Sequence, residues 1–523
     1  MAVVGALLAL PAGASAKPAT KLVAKRSLAP GVQRLTYRYG PLTSAAGQGL
    51  ILLSATVDHP ALPGFMTRFH GTLVLADGST PPTEQLHLHH AALANQGRLD
   101  PTYPADPANP RSPDRKYPGL PERIFAWGED KTILTLPKPY GYPIDPSDPW
   151  VINYMVHNGT SQTKVVYIQW TIDYVLKGSA RGRATRRALP LWMDVENGSL
   201  YPVFNTFRGK GGRDGRFTYP DEARPDPYAA RGTPRLNEWR VPRDMTLVYG
   251  WGHIHPGGLS TDLTARRGAR KRLIFRSEAR IFDPHGPVSW DLAMTETDRD
   301  WRVGLRKGDR LRITGVYESR RASWYENMAL MGLFYSDGAR GADAFRSPPD
   351  PLGRPTHGPL PENGNHGGKR TGLPNPARAP GRDAPGGTVA IGDFRYVPGD
   401  LSALEYVPEV DPGETVQFWN ADGPAQIFHT VTSCAPPCNR STGVSYPIAD
   451  GRFQFDSRQL GYGPPSLTSA EQRIQWRNPR TMRPGTYTYF CRVHPFMRGA
   501  FRVRTPDRGE ARLGSAPTGD FGQ

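Results

Sequence analysis

Short runs in which apolar and polar residues alternate dominate this chain. Gly49–Ser54, Gly71–Leu75, Lys164–Ile172 and Arg310–Tyr317 are rich in β-branched, aliphatic and aromatic residues, and the pattern predicts strands there. The same alternation recurs over Val416–Asn420, Gly485–Phe490 and Ala500–Arg504. No segment of useful length carries a helical period, so the expected fold class is all-β. Pro-rich excursions at 100–123 and 208–235 divide the runs. Ser336–Gly386, rich in Gly, Pro, Arg and Asp and nearly free of aliphatic pattern, reads as a flexible linker. The resulting division is a β domain over 28–178, a second over 183–335, the linker over 336–386, a third β domain over 387–505 and a disordered tail over 506–523.

Composition supports this division. A chain of 523 residues exceeds a single core, and 57 Gly with 54 Pro favour many turns between short strands. Val3–Pro11 is apolar and Ala14-Ser-Ala16 is a small-residue cleavage pattern, so 1–16 reads as a secretory signal lacking a basic start. The expected address is secreted or periplasmic, with no transmembrane segment. The net charge of +17 could suit nucleic acid, but the Arg residues are scattered. With export, that leaves an acidic redox partner or an anionic surface rather than nucleic acid.

Chemistry is concentrated in the histidines and the three cysteines. Phe428-His429-Thr430 and the later Cys491-Arg-Val-His494-Pro-Phe-Met497 supply two imidazoles, a thiolate and a thioether, a donor set suited to copper cycling between Cu(I) and Cu(II). An ordinary buried thiol beside a surface histidine is the plain alternative, and four ligand types in this order weigh against it. Cys434 and Cys438 remain as a pair; an oxidising compartment favours a disulfide over a second metal or relay site, since no His accompanies them. Further upstream lie Leu86-His87-Leu-His89-His90, Tyr154-Met-Val-His157, Gly252-His253-Ile-His255 and Glu326-Asn-Met328. Residues two apart on a strand share a face, so His253 with His255, or His87 with His89, can reach one ion. The neighbours His89 and His90 can do so only if the strand is bulged or twisted. Singly, each of these histidines reads as a surface or core residue, and Met328 as core; Met331 is a weaker alternative to Met328, and His87 is either a spare face residue or a substitute for His90. His59, His70 and His285 lack a motif, and His357 and His366 in the linker read as solvated.

Two resemblances follow from these motifs. From about Gly387 to Arg504 the chain resembles a cupredoxin, and its Cys-x2-His-x2-Met loop continuing Pro-Phe-Met-Arg-Gly is similar to that of amicyanin. This implies a Greek-key β-sandwich with a type 1 copper on His429, Cys491, His494 and Met497. From about Leu50 to Tyr335 the order of the remaining motifs resembles the copper type II ascorbate-dependent monooxygenases, the family of peptidylglycine α-hydroxylating and dopamine β-monooxygenases. That likeness implies two jelly-roll-like β-sandwiches, an electron-supplying copper on His89, His90 and His157, and an oxygen-binding copper on His253, His255 and Met328. Three departures are visible: Ala91 follows the His pair where the family has Met, 208–235 lengthens the gap between His157 and His253, and this half has no Cys. The implied activity is copper-dependent hydroxylation of a small-molecule or peptide substrate with O2, its electrons coming from a redox donor through a cupredoxin swinging on its linker. The competing expectation is a non-catalytic extracytoplasmic electron carrier. Nitrite reductase and laccase relatives place a His directly beside the copper Cys, and Cys491 is followed by Arg492.

Overall fold

The computed structural model describes residues 17–102, 120–195, 203–220, 237–346, 350–366, 373–425, 427–435, 438, 455–462 and 472–506. The protein is built almost wholly of β-strands, as the alternating pattern requires, and the only α-helix among the described residues is the five-residue turn Ala180–Ala184. No described helix is long and apolar enough to cross a membrane. The expected signal lies outside the described residues, as does the tail from 507.

The first sandwich lays Val32–Ser44, Lys164–Leu176, Gly64–Val74 and Tyr140–Ile144 side by side in one sheet. Facing it, Gly49–Thr56, Trp150–Asn158, Leu86–Leu99 and Pro121–Gly128 form the other sheet. Chain order alternates between the sheets in the manner of an eight-stranded jelly roll. The unit begins at the edge strand Ala19–Ala29, ahead of the expected Leu28. In the second unit the order recurs within one continuous sheet: Leu189–Asp194, Ala329–Asp337, Met245–Ile254 and Leu292–Glu296, joined through the last to Arg270–Ile281, Gly258–Arg267, Arg310–Glu318 and Arg216–Tyr219. The third unit packs a five-stranded sheet containing Arg498–Val503 and Gly485–Phe490 on a four-stranded sheet containing Thr388–Gly392 and Gln417–Asn420.

Period-two patterning decides which face each strand buries. Along Trp150–Asn158, Trp150, Ile152, Tyr154 and Val156 enter the first core, whereas Met155 on the opposite face joins the core of the third unit. The outer face of that sheet is therefore covered by the third sandwich.

The segment expected to be a free linker is instead a strap in its described parts. Lys131 Nζ donates to Glu362 Oε1 at 2.8 Å, Thr83 Oγ1 bonds Asn363 Oδ1 at 2.5 Å, and Arg354 pairs with Glu296 at 2.8 Å. Arg354–Pro355 pairs with Leu292–Glu296, and Gly381–Asp383 adds a strand to the third unit. His357, expected in solvent, bonds the Asp130 carbonyl, and His366, also expected there, pairs with the Asp291 carboxylate at 2.5 Å. The composition lacks apolar periodicity because polar side chains, rather than a buried face, hold the strap.

Candidate copper centres at the domain joint

The third sandwich gathers His429, Cys491 and His494 at one point. Their donor atoms are mutually close: His429 Nδ1 to Cys491 Sγ 3.9 Å, Cys491 Sγ to His494 Nδ1 3.7 Å, and His494 Nδ1 to His429 Nδ1 3.3 Å. Three ligands around one ion, with metal–nitrogen near 2.0 Å and metal–sulfur about 2.3 Å, stand about 3.5–3.8 Å apart. The donors thus fit a copper ion without rearrangement. Met497, 2% exposed, closes the same loop, its N–H donating to the His494 carbonyl at 2.9 Å. Backbone N–H groups of Thr430 and His494 both point at Cys491 Sγ from 3.3 Å. Asp422 Oδ2 accepts from His429 Nε2 at 2.9 Å and fixes the ring with Nδ1 toward the other donors. Cys434 and Cys438 form a disulfide, Cα to Cα 5.4 Å, behind the strand that leads to Cys491.

A two-residue hairpin turn shapes the outer side of this centre. Asp393 and Phe394 have φ of 49° and 58°, the left-handed pair of a type I′ turn. Asp422 Oδ1 accepts the Asp393 N–H at 3.0 Å, so one carboxylate braces both the turn and His429. The turn sets the Phe394 ring 4.8 Å from His494 and 6.0 Å from His157. It also presses on Gly49, where a Cβ would lie 2.9 Å from the Phe394 ring.

Across the joint lies the histidine-rich face of the first jelly roll. His87 pairs directly opposite His157 in the ladder, and the register slips by one between Leu88 and His90. This bulge lets the core alternation resume at Ala91 and leaves His87, His89 and His90 on the outer face. His87, His89, His157 and His255 line one cavity with Glu129, Trp290, Tyr325, Glu326 and Arg492. Ring centroids are 4.8 Å apart for His87 and His157, 5.2 Å for His89 and His157, and 5.9 Å for His89 and His255. His157 is also 5.4 Å from His494, and Phe496 covers it at 4.6 Å. Burial holds His89, His157, His255 and His494 well below the usual imidazole range, leaving them neutral as metal ligation requires.

The five histidines and the methionine expected upstream do not gather as two separate sets. His90 turns to Asn153, and His253 Nδ1 meets Asp130 Oδ2 at 2.8 Å; neither lines the cavity. Met328 stands just before Ala329–Asp337, its carbonyl accepting from Tyr317 Oη, which in turn accepts the His255 N–H at 3.0 Å. Glu129 escaped the sequence reading; its only local signal is an acidic pair, Glu129-Asp130, following an apolar strand. It is wholly buried, desolvation pushes it well above the ordinary carboxylate range, and its Oε1 is 3.2 Å from His87 Nε2.

No protein-family model and no curated protein matches the chain. Among solved structures, the Cu(I) form of an amicyanin mutant is 23% identical over 22% of this chain and 80% of its own, with a TM-score of 0.14. The copper-containing nitrite reductase of Thermus scotoductus is 15% identical over 51% of this chain and 58% of its own, TM-score 0.14. The STIV MCP is 9% identical over 59% of this chain and 97% of its own, TM-score 0.24.

Proposed function

We propose that this chain is an exported copper oxidoreductase in which a blue-copper centre on His429, Cys491, His494 and Met497 exchanges single electrons with a second copper in the histidine-lined cavity. The finer reading is a monooxygenase, using dioxygen there to hydroxylate a small-molecule or peptide substrate. Copper, when bound, supplies one-electron redox chemistry at both places. The protein supplies the path and the enclosure. One observation carries the proposal: the blue-centre ligand His494 packs against His157 of the cavity, ring to ring at 5.4 Å, with Phe394 and Phe496 excluding water around them. Transfer along this contact needs no swinging domain, because the donor ligand already touches the acceptor wall. Tyr325 and Trp324 beside His255 wall the remaining side, where a substrate would sit.

The test is reoxidation after anaerobic reduction. When dioxygen is admitted, the bleached blue band should return quickly in the wild-type protein and slowly in His157→Ala, whose blue-centre ligands are intact. Equal return in both would leave the blue domain as an independent carrier and reject the proposed path.

A further inference from the structure

We propose that the outer face of the four-stranded sheet in the third unit, centred on Trp419, is the docking port of an acidic one-electron redox protein that exchanges its electron with the blue centre through His429. The inference rests on the reading that His429, Cys491, His494 and Met497 hold a blue copper; the cavity plays no part in it.

The argument begins with the side of the centre that is closed. His494 is 4% exposed, with the Phe394 ring at 4.8 Å, the His157 ring at 5.4 Å and the Phe496 ring at 6.1 Å. A protein arriving from solvent cannot reach it. His429 is 0% exposed, but the strand Gln417–Asn420 ties it to the surface. Period-two alternation turns Phe418 and Asn420 inward, each 0% exposed, and Trp419 outward, 41% exposed. From Asn420 two bonded routes lead to His429. Asn420 Nδ2 donates to the Leu460 carbonyl at 2.9 Å, and the same carbonyl accepts the His429 N–H at 3.2 Å. Asn420 Oδ1 accepts the Asp422 N–H at 3.0 Å, and Asp422 Oδ2 accepts from His429 Nε2 at 2.9 Å. Bonded contacts carry an electron better than gaps do, so these routes couple the exposed indole to the metal position.

The surface around Trp419 suits a partner. Val397, Ala390, Trp419 and Gln475 stand side by side across the four strands, so one row turns three apolar side chains outward, Val397 56% exposed. An indole buries a large area when covered, and Trp is enriched at the energetic centre of interfaces. The strand carrying Gln475 supplies a cationic rim. Residues 472–483 contain four Arg and no Asp or Glu, and Arg473 and Arg477, both exposed, alternate onto the face of Gln475. Their side-chain contacts are with neutral groups, the Ser457 carbonyl at 2.9 Å and Gln417 Oε1 at 2.5 Å, so both charges stay uncompensated there. An apolar centre edged with cations fits a partner whose apolar patch is edged with carboxylates, and the chain's net charge of +17 steers such a partner in. The step is one electron from the partner's reduced centre to Cu(II), leaving Cu(I) and an oxidised partner, with no bond made or broken and no proton moved.

The test uses the full chain and plant-type ferredoxin, a strongly acidic one-electron protein, as the probe. Titration calorimetry with the oxidised probe measures binding; stopped-flow bleaching of the blue band by the reduced probe measures delivery, and the band itself reports the fold of each variant. Trp419→Ala should weaken binding about 30-fold, as loss of a central aromatic anchor does, and slow bleaching with it. Val397→Asp, which sets a like charge before the partner, should do the same and serves if Trp419→Ala fails to turn blue. Arg477→Glu should slow bleaching about tenfold at low salt and little at high salt, because its part is steering. Arg272→Glu, exposed on the second unit, controls for net charge alone, and an equal effect there would reduce the interaction to diffuse attraction and overturn the port. The port is also overturned if Trp419→Ala leaves ferredoxin binding intact but releases the chain from phosphatidylserine vesicles, or splits a dimer of the chain. A copper-loaded wild type with no blue band would refute the centre and the port with it. A blue wild type whose Trp419→Ala variant binds and bleaches unchanged would refute the port alone.

Discussion

Replacing His157 with Phe should stabilise the metal-free protein and remove its response to copper. The ring is fully buried among Phe394, Phe496, His87 and His89, with both nitrogens unpaired. In the absence of metal, those nitrogens carry a desolvation penalty of about 1–3 kcal/mol that a phenyl ring of similar shape does not. The corresponding rise in melting temperature is about 2–4 °C per kcal/mol for a unit of 150–250 residues. Copper reverses the ranking. At a free concentration one hundred times its dissociation constant, a ligand adds about 2.7 kcal/mol to the folded state that binds it. Wild-type protein should gain this at the cavity and the variant should not. Scanning calorimetry of both proteins, in chelator and with copper, reads the two differences on one scale. A metal-free variant that melts below metal-free wild type, or an equal copper-induced rise in both, would refute the claim that His157 is an orphaned ligand.

Cys491→Ser should abolish the intense visible band while leaving the cavity copper countable by EPR; a band that survives would remove Cys491 from the blue centre. Asp422→Asn withdraws the carboxylate that holds His429 and braces the Asp393–Phe394 turn, so blue-centre copper affinity should fall about 10–100-fold in a chelator competition. The strap should loosen in acid. Burial works against the Glu362 carboxylate, but the hydrogen bond from Lys131, a backbone hydrogen bond and the nearby charges of Lys131 and His357 together outweigh it and hold the group below the ordinary carboxylate range. Its contribution is therefore present above the unfolded carboxylate value and lost as pH falls through the lower folded one. Hydrogen exchange at 360–364 should accelerate in that acid window in the wild type, and be fast already at neutral pH in Glu362→Gln; pH-independent exchange would rule out the anchor.

The cluster of His429, Cys491 and His494 was legible because Cys491 and His494 share one loop with Met497, so spacing nearly determines geometry. The all-β class was equally legible, since period-two alternation acts strand by strand. The cavity was only half legible. Sequence named His89, His90 and His157 and left His87 as a substitute for His90, whereas a single extra residue in the ladder between Leu88 and His90 decides which side chains share a face. No local pattern marks that slip. The strap was misread for a related reason: Glu362 and Asn363 find Lys131 and Thr83 across 231 and 280 positions of chain, and composition carries no trace of such pairings. Asp422 and Glu129 likewise act through partners that only the fold brings near.

The depth of the blue centre bears on how the protein is made. His429 and Cys491 are 0% exposed, Met497 2% and His494 4%, and Phe394 and Phe496 flank His494 where it meets the neighbouring jelly roll. A copper ion arriving at the finished molecule meets a closed door. Loading of the proposed centre would come before the sandwiches close on one another, or wait for them to part. Uptake by preassembled apoprotein would then keep time with domain opening, indifferent to how much copper stands outside once the ion is in excess.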